Sequence, residues 1–230
     1  MLHTQTVEAG TYKLLKSLMA DPVLGQFALA GGTALSLHIG HRKSIDLDLF
    51  TTEEFNPPQL EKYLQEKYAF KGDMLAGSSL KGEVNGIKLD FIRHGYPNVE
   101  PRVQEDGIRL YSVKDIAAMK LSAIADNGTR LKDFIDVAYL SGYLSLEEML
   151  AAFKTKYPQT NPYRAVKGLT YYDDIRFQER IDLLGKDFQW ETIATRLSAM
   201  TREEKRHFQP LSEVHTKKQV RVPKKRGRGI

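Results

Sequence analysis

One stretch decides the fold: Phe27-Ala28-Leu29-Ala30-Gly31-Gly32-Thr33-Ala34-Leu35-Ser36-Leu37-His38, followed after a short gap by Ile45-Asp46-Leu47-Asp48-Leu49-Phe50. Four apolar residues run into paired glycines, and the residues after them suit a helix, so the order reads strand, glycine turn, helix. Residues 45–50 alternate strictly. A period of two predicts a strand with Ile45, Leu47 and Leu49 on one face and Asp46 beside Asp48 on the other. Two carboxylates so close repel when both are ionised, and a cation between them relieves the repulsion. Magnesium suits that place, because one or two carboxylates plus phosphate oxygens satisfy it. The backbone N–H groups of a Gly31-Gly32-Thr33 turn opening a helix can cradle those phosphates.

Upstream, Val7, Tyr12, Leu14, Leu15, Leu18 and Met19 have helical spacing, and Asp21-Pro22 ends the helix. Downstream, Asn56-Pro57-Pro58 opens a helix with Leu60, Tyr63, Leu64 and Tyr68 as its apolar stripe. Strands are predicted near 72–77 and 79–84, and Asn85-Gly86 signals a hairpin into Ile87-Lys88-Leu89-Asp90-Phe91-Ile92. Asp90 then faces away from Leu89 and Phe91 and supplies a third carboxylate on a neighbouring strand, as two-metal phosphoryl transfer requires. A short strand at 108–111 closes this part.

From Ser112 the periodicity is helical, with capping-box signals at Ser112/Asp115 and Ser145/Glu148. Helices are predicted near 113–126, 131–141, 146–156, 162–184, either continuous or broken, and 190–208. The predicted division is a mixed α/β domain over 1–112, an all-α domain over 113–215, and a basic, disordered tail over 216–230. Lys120 stands on a mainly apolar helix, where it either reaches a phosphate as a point charge or snorkels to the surface. Asp133 and Asp136 share one helix face, where they orient Lys120, contact a nucleotide, or pair with Lys132 or Arg130. His38 and His41 straddle Gly40 and make a poor zinc pair; His41-Arg42 suits phosphate contacts on the rim of a cleft. Tyr171-Tyr172 suits a core, or stacking on a base.

Composition sets the outer limits. The chain has 230 residues, 41% hydrophobic and 27% charged, which suits a folded protein of one large or two small domains. It has no cysteine, so disulfides, thiolate metal sites and thiol nucleophiles are excluded. No apolar run reaches the roughly 18 residues of a membrane span, and the first residues lack a signal-peptide pattern, so a cytoplasmic location without membrane contact is expected. The formal net charge is +5, but residues 216–230 carry seven basic residues and no acid; the remainder has 27 basic against 29 acidic residues, a net of −2. The tail is either a solvated extension or a non-specific phosphate contact.

Ala30-Gly31-Gly32-Thr33-Ala34-Leu35, His41-Arg42-Lys43-Ser44-Ile45-Asp46-Leu47-Asp48-Leu49-Phe50 and Lys132-Asp133-Phe134-Ile135-Asp136 resemble the AbiEii/AbiGii toxin family of nucleotidyltransferases. Leu169-Thr170-Tyr171-Tyr172-Asp173-Asp174 is similar to a further segment of some members. The resemblance implies an α+β fold: a polymerase-β-like nucleotidyltransferase domain, with a mixed sheet and flanking helices, followed by a C-terminal helical bundle. It implies catalytic roles for Asp46, Asp48 and Lys120; Asp90, from the reading of the strands, joins them as a catalytic residue and as the third carboxylate for magnesium. Gly31, Gly32, Thr33, Arg42, Ser44, Lys120, Asp133 and Asp136 would bind the nucleotide. The implied reaction moves NMP from an NTP to tRNA or another RNA, by a toxin of a type IV toxin–antitoxin or abortive-infection system that has a cognate antitoxin. The chain departs from the family at Asn127, where an arginine is common; Arg130 lies close by in sequence. A nucleotide- or RNA-binding protein with weakened catalysis, and an aminoglycoside-type small-molecule transferase, are the alternatives.

Overall fold

The computed structural model describes residues 1–184 and 187–211; the tail 216–230 lies outside the described residues. The chain forms α1 (Ala9–Ala20), β1 (Ala28–Leu29), α2 (Gly31–Ile39), β2 (Leu47–Thr51), α3 (Pro57–Tyr68), β3 (Lys71–Ala76), β4 (Ser79–Val84), β5 (Ile87–Arg93), β6 (Val103–Glu105) and β7 (Ile108–Leu110). Helices α4 (Val113–Asp126), α5 (Leu131–Leu140), α6 (Leu146–Lys156), α7 (Tyr163–Gly168) and α8 (Trp190–Arg202) follow. The strands make one mixed sheet in the order β3-β4-β5-β2-β1-β7-β6. β2 runs parallel to β5 and antiparallel to β1, while β1 runs parallel to β7. With its seven-stranded sheet and helices, the molecule is of the α+β class.

Local chemistry explains most boundaries. Asp21 leaves the helical region before Pro22 and stops α1. Asn56 caps α3 through its side chain, which accepts from the Gln59 N–H. Asn85 and Gly86, at φ of 52° and 78°, form the tight turn that returns β4 into β5. Asp106-Gly107, at 50° and 70°, does the same for β6 and β7, although β6 itself has no alternation to announce it. Ser145 and Glu148 form a complete capping box. At Ser112 only half of one forms. The Asp115 carboxylate is turned instead to the Val99 and Glu100 N–H groups and to the buried Lys156 ammonium.

Three expectations need correction. The strand expected at 45–50 starts at Leu47, and Ile45 is 59% exposed rather than facing the core. The preceding backbone is committed elsewhere: Ser44 N–H donates to the Thr6 carbonyl, Lys43 N–H to the Asp182 carbonyl, and the Asp46 carbonyl accepts from the Thr33 hydroxyl. The helix expected over 162–184 stops at Gly168, which packs on α4 so tightly that a Cβ would lie 2.8 Å from Ile124 Cγ2. Residues beyond it run back in irregular form, with Arg176 N–H donating to the Thr129 carbonyl and Leu184 N–H to the His41 carbonyl. The last helix ends at Arg202, not near residue 208.

The core is continuous. Phe27, Leu29, Leu35, Leu49 and Phe91 of the sheet part join Phe134 and Phe153 of the helical part in one buried cluster. Burying each such side chain contributes about 1.5–3 kcal/mol. α4 packs on α2, α5, α6 and α7, and α5 packs on α2 and α8. Residues of α4, α5, β2 and β5 together line the cleft that holds the polar motifs.

Candidate active site

Two parallel strands carry the centre of the site. Asp48 of β2 and Asp90 of β5 are partners in register, so both carboxylates stand on one sheet face. Their neighbours Leu47, Leu49, Leu89 and Phe91 point into the core and fix that orientation. Above Asp48 lies the start of α2. Gly31 has φ +66°, and a Cβ there would sit 1.9 Å from Asp48 Oδ2; a Cβ on Gly32 would sit 2.2 Å from Arg42 Nη2. Only glycine permits this approach of backbone to carboxylate. The first N–H groups of α2 have no acceptor within the helix and open towards the cleft.

Burial pushes the Asp48 carboxyl up to about 6, helped by Asp90 and Asp46 and opposed by Lys120 and Arg130. Asp90 is contacted by the Lys81 ammonium from β4. Asp46 lies just before β2 and is exposed at the mouth of the cleft rather than beside Asp48 within the strand.

The helical side supplies cations held by buried acids. Lys120 of α4, 6% exposed, places Nζ 2.7 Å from Asp133 Oδ1 and 2.8 Å from Asp136 Oδ2. It therefore faces the cleft and is no snorkelling surface residue. Asp136 also accepts from His41 Nε2 at 2.8 Å and from Arg42 Nε and Nη2 at 2.7 and 3.0 Å. Three points follow for the expected nucleotide contacts. Asp136 is fully buried, and its carboxylate is shared by His41, Arg42 and Lys120. His41 and Arg42 are buried in this cluster instead of standing on the rim. Asp133 is nearly as buried and orients Lys120. Ser44 Oγ is hydrogen-bonded to Thr33 Oγ1 at 2.9 Å, tying the loop before β2 to the first turn of α2. His38 is bonded to the Tyr111 carbonyl, so the two histidines serve different partners.

The cleft has two adjoining halves that share Gly32, Asp48, Lys120 and Arg130. One, of about 470 Å³, is lined by Arg42, Ser44, Asp46, Lys132 and Arg180. The other, of about 350 Å³, is lined by Lys81, Asp90, His94, Asp126 and Tyr157. Lys43, Lys81, Arg130, Lys132 and Arg180 are cleft cations that sequence reasoning left out of the site. For Arg130 a signal existed, its nearness to the departure at Asn127. Arg180 lies in irregular chain with no motif around it. Among the described residues no group of three or more His, Asp or Glu side chains converges for a metal. The donor set available is therefore the in-register pair Asp48 and Asp90, with Asp46 at the mouth. That set fits a magnesium ion, which needs few carboxylates when substrate phosphates complete its shell.

The cleft thus presents a carboxylate pair under a glycine-led helix start, faced by a held lysine. Solved structures share the fold: JHP933 from Helicobacter pylori, with TM-score 0.53 and 20% identity, covers 86% of this chain and 91% of its own. MenT4, the nucleotidyltransferase toxin Rv2826c of Mycobacterium tuberculosis H37Rv, has TM-score 0.53 and 14% identity over 84% and 86% of the two chains. An uncharacterized protein of Aquifex aeolicus (strain VF5) is 33% identical over 186 residues, 78% of this chain and 88% of that protein. The family described as nucleotidyl transferase AbiEii toxin, type IV TA system, matches residues 13–215, and the chain belongs to it.

Proposed function

We propose that this nucleotidyltransferase moves NMP from an NTP to the 3′ end of an RNA, tRNA foremost, in a magnesium-dependent reaction in the cytoplasm, as a toxin held in check by a cognate antitoxin. The observation that carries the reading is the in-register pair Asp48 and Asp90 beneath Gly31, with Lys120 opposite. The triphosphate lies in the half lined by Ser44 and Arg180, where the α2 N–H groups and the cations Lys120, Arg130 and Lys132 meet its oxygens. The acceptor enters the half lined by Asp90. Its hydroxyl forms a bond to the α-phosphorus, the bond from that phosphorus to the bridging oxygen breaks, and pyrophosphate leaves. Asp90 takes the hydroxyl proton. Lys120 offsets charge as it builds on the phosphates, held in place by Asp133 and Asp136. Asp48 and Asp90, with Asp46 at the mouth, would hold a magnesium ion, which would supply Lewis-acid polarisation of the phosphate.

The domain division at residue 112 fits this reading, because the carboxylates lie before it and Lys120, Asp133 and Asp136 after it, across the cleft. Among the described residues no helix is long and apolar enough to cross a membrane. The test incubates the protein with each radiolabelled NTP, magnesium and total tRNA. Label in RNA is expected; bound but untransferred nucleotide, or label only on added small molecules, would overturn the RNA acceptor.

A further inference from the structure

A second pocket, of about 520 Å³, opens where α4 ends, between that end and α7. It is large enough for a nucleotide. Asp126 lines both this pocket and the half of the cleft that holds Asp90; the half holding Ser44 and Asp46 has no residue in common with it. The pocket thus continues the acceptor side of the site. Its chemistry is distinct from that of a core crevice. Arg164 and Lys167, three residues apart on α7, both line it, and Arg164 is braced by a 3.2 Å bond to the Ala125 carbonyl. Tyr171, 51% exposed, lines the same wall. Its neighbour Tyr172 is spent on packing, edge-on to Trp190 and Phe134. The pair therefore divides into one core ring and one ring offered to the pocket.

We propose that this pocket seats the unpaired 3′-terminal nucleotides of the RNA acceptor, resting on the reading of the cleft given above. A base stacks on Tyr171, and backbone phosphates meet Arg164 and Lys167. This is the pairing of aromatic platform and cations by which proteins hold single strands without reading sequence. The exposed Asp126 carboxylate at the junction accepts from a ribose hydroxyl as the strand turns towards Asp90.

Two measurements on the full chain test it. In steady-state transfer, Tyr171→Ala and the double variant Arg164→Ala/Lys167→Ala should raise the KM for RNA about 10-fold or more. The KM for NTP, and kcat at saturating RNA, should stay within about two-fold of wild type, and Tyr171→Phe should restore the ring and the affinity. In fluorescence anisotropy with a short labelled single-stranded RNA and no NTP, the double variant should lose about 1.4 from the slope of log K against log salt, since each cation contributes roughly 0.7. A raised KM for NTP would assign the pocket to the incoming base and overturn the proposal, as would unchanged RNA affinity in all variants. Wild-type protein that transfers nothing to RNA would instead sink the RNA-transferase reading, while anisotropy would still decide the occupant of this pocket.

Discussion

Arg42 and Asp136 form a bidentate ion pair, 2.7 and 3.0 Å, between residues 94 positions apart, and neither side chain is more than 4% exposed. His41 and Lys120 converge on the same carboxylate. Burial alone would raise its pKa; the Arg42 and Lys120 charges overcome that and hold it well below the usual range. Removing one partner from such a cluster leaves uncompensated buried charge. Asp136→Ala should therefore cost about 3–5 kcal/mol in urea unfolding, and Asp136→Asn less, because it keeps the shape and some hydrogen bonds. A loss below about 1 kcal/mol for the alanine variant would show that the cluster does not support the fold.

Asp48 behaves in the opposite sense. Its pKa is raised to about 6 in the folded chain, so above the unfolded value the ionised form is carried at a cost. That cost is at most about 3 kcal/mol, is present in full above pH 6, and fades as pH falls towards 4. Asp48→Asn should abolish transfer yet melt a few degrees higher than wild type in EDTA at pH 7.5, with the difference gone near pH 3.5. Calorimetry at the two pH values checks the sign.

Lys120→Ala, compared with the exposed Lys62→Ala, separates a cleft cation from a surface lysine. Loss of a preorganised charge at a developing anion lowers turnover by roughly 10²-fold. Lys120→Arg should recover part of it, since a planar fork replaces a compact ammonium imperfectly. Rates equal in Lys120→Ala and Lys62→Ala would remove Lys120 from the chemistry.

His94 is half-buried, bonded to the Tyr157 hydroxyl at 3.0 Å, and pushed down to about 4 by burial and by the nearby Lys156 charge. Its neutral form is favoured by folding, so stability is lost as pH falls from about 6.5 towards 4. His94→Gln should flatten the pH dependence of the melting temperature in that window. A wild-type curve already flat there would contradict the buried neutral imidazole.

Periodicity made the centre of the site legible. Leu47, Leu49, Leu89 and Phe91 alternate with Asp48 and Asp90, and alternation is a local property that survives folding unchanged. The glycine turn was legible because only glycine tolerates the approach to Asp48. What failed was long-range. Ile45 continues the alternation, but the backbone before Leu47 is claimed by Thr6, Thr33 and Asp182, and no local pattern can report that. Arg42 reads as a solvated rim charge until α5 brings Asp136 against it. Arg180 reaches the cleft on a segment whose helical spacing is defeated by packing at Gly168.

That returning segment has a consequence for truncated chains. The loop carrying His41 to Ser44 is fastened from behind by Asp182 and Leu184, and the Thr129 carbonyl by Arg176. Asp46, Asp48, Asp90 and Lys120 all precede these fasteners in the chain. A chain truncated before residue 176 would keep Asp46, Asp48, Asp90 and Lys120 but lose Arg180 and these ties, leaving the loop that carries His41 to Ser44 unfastened.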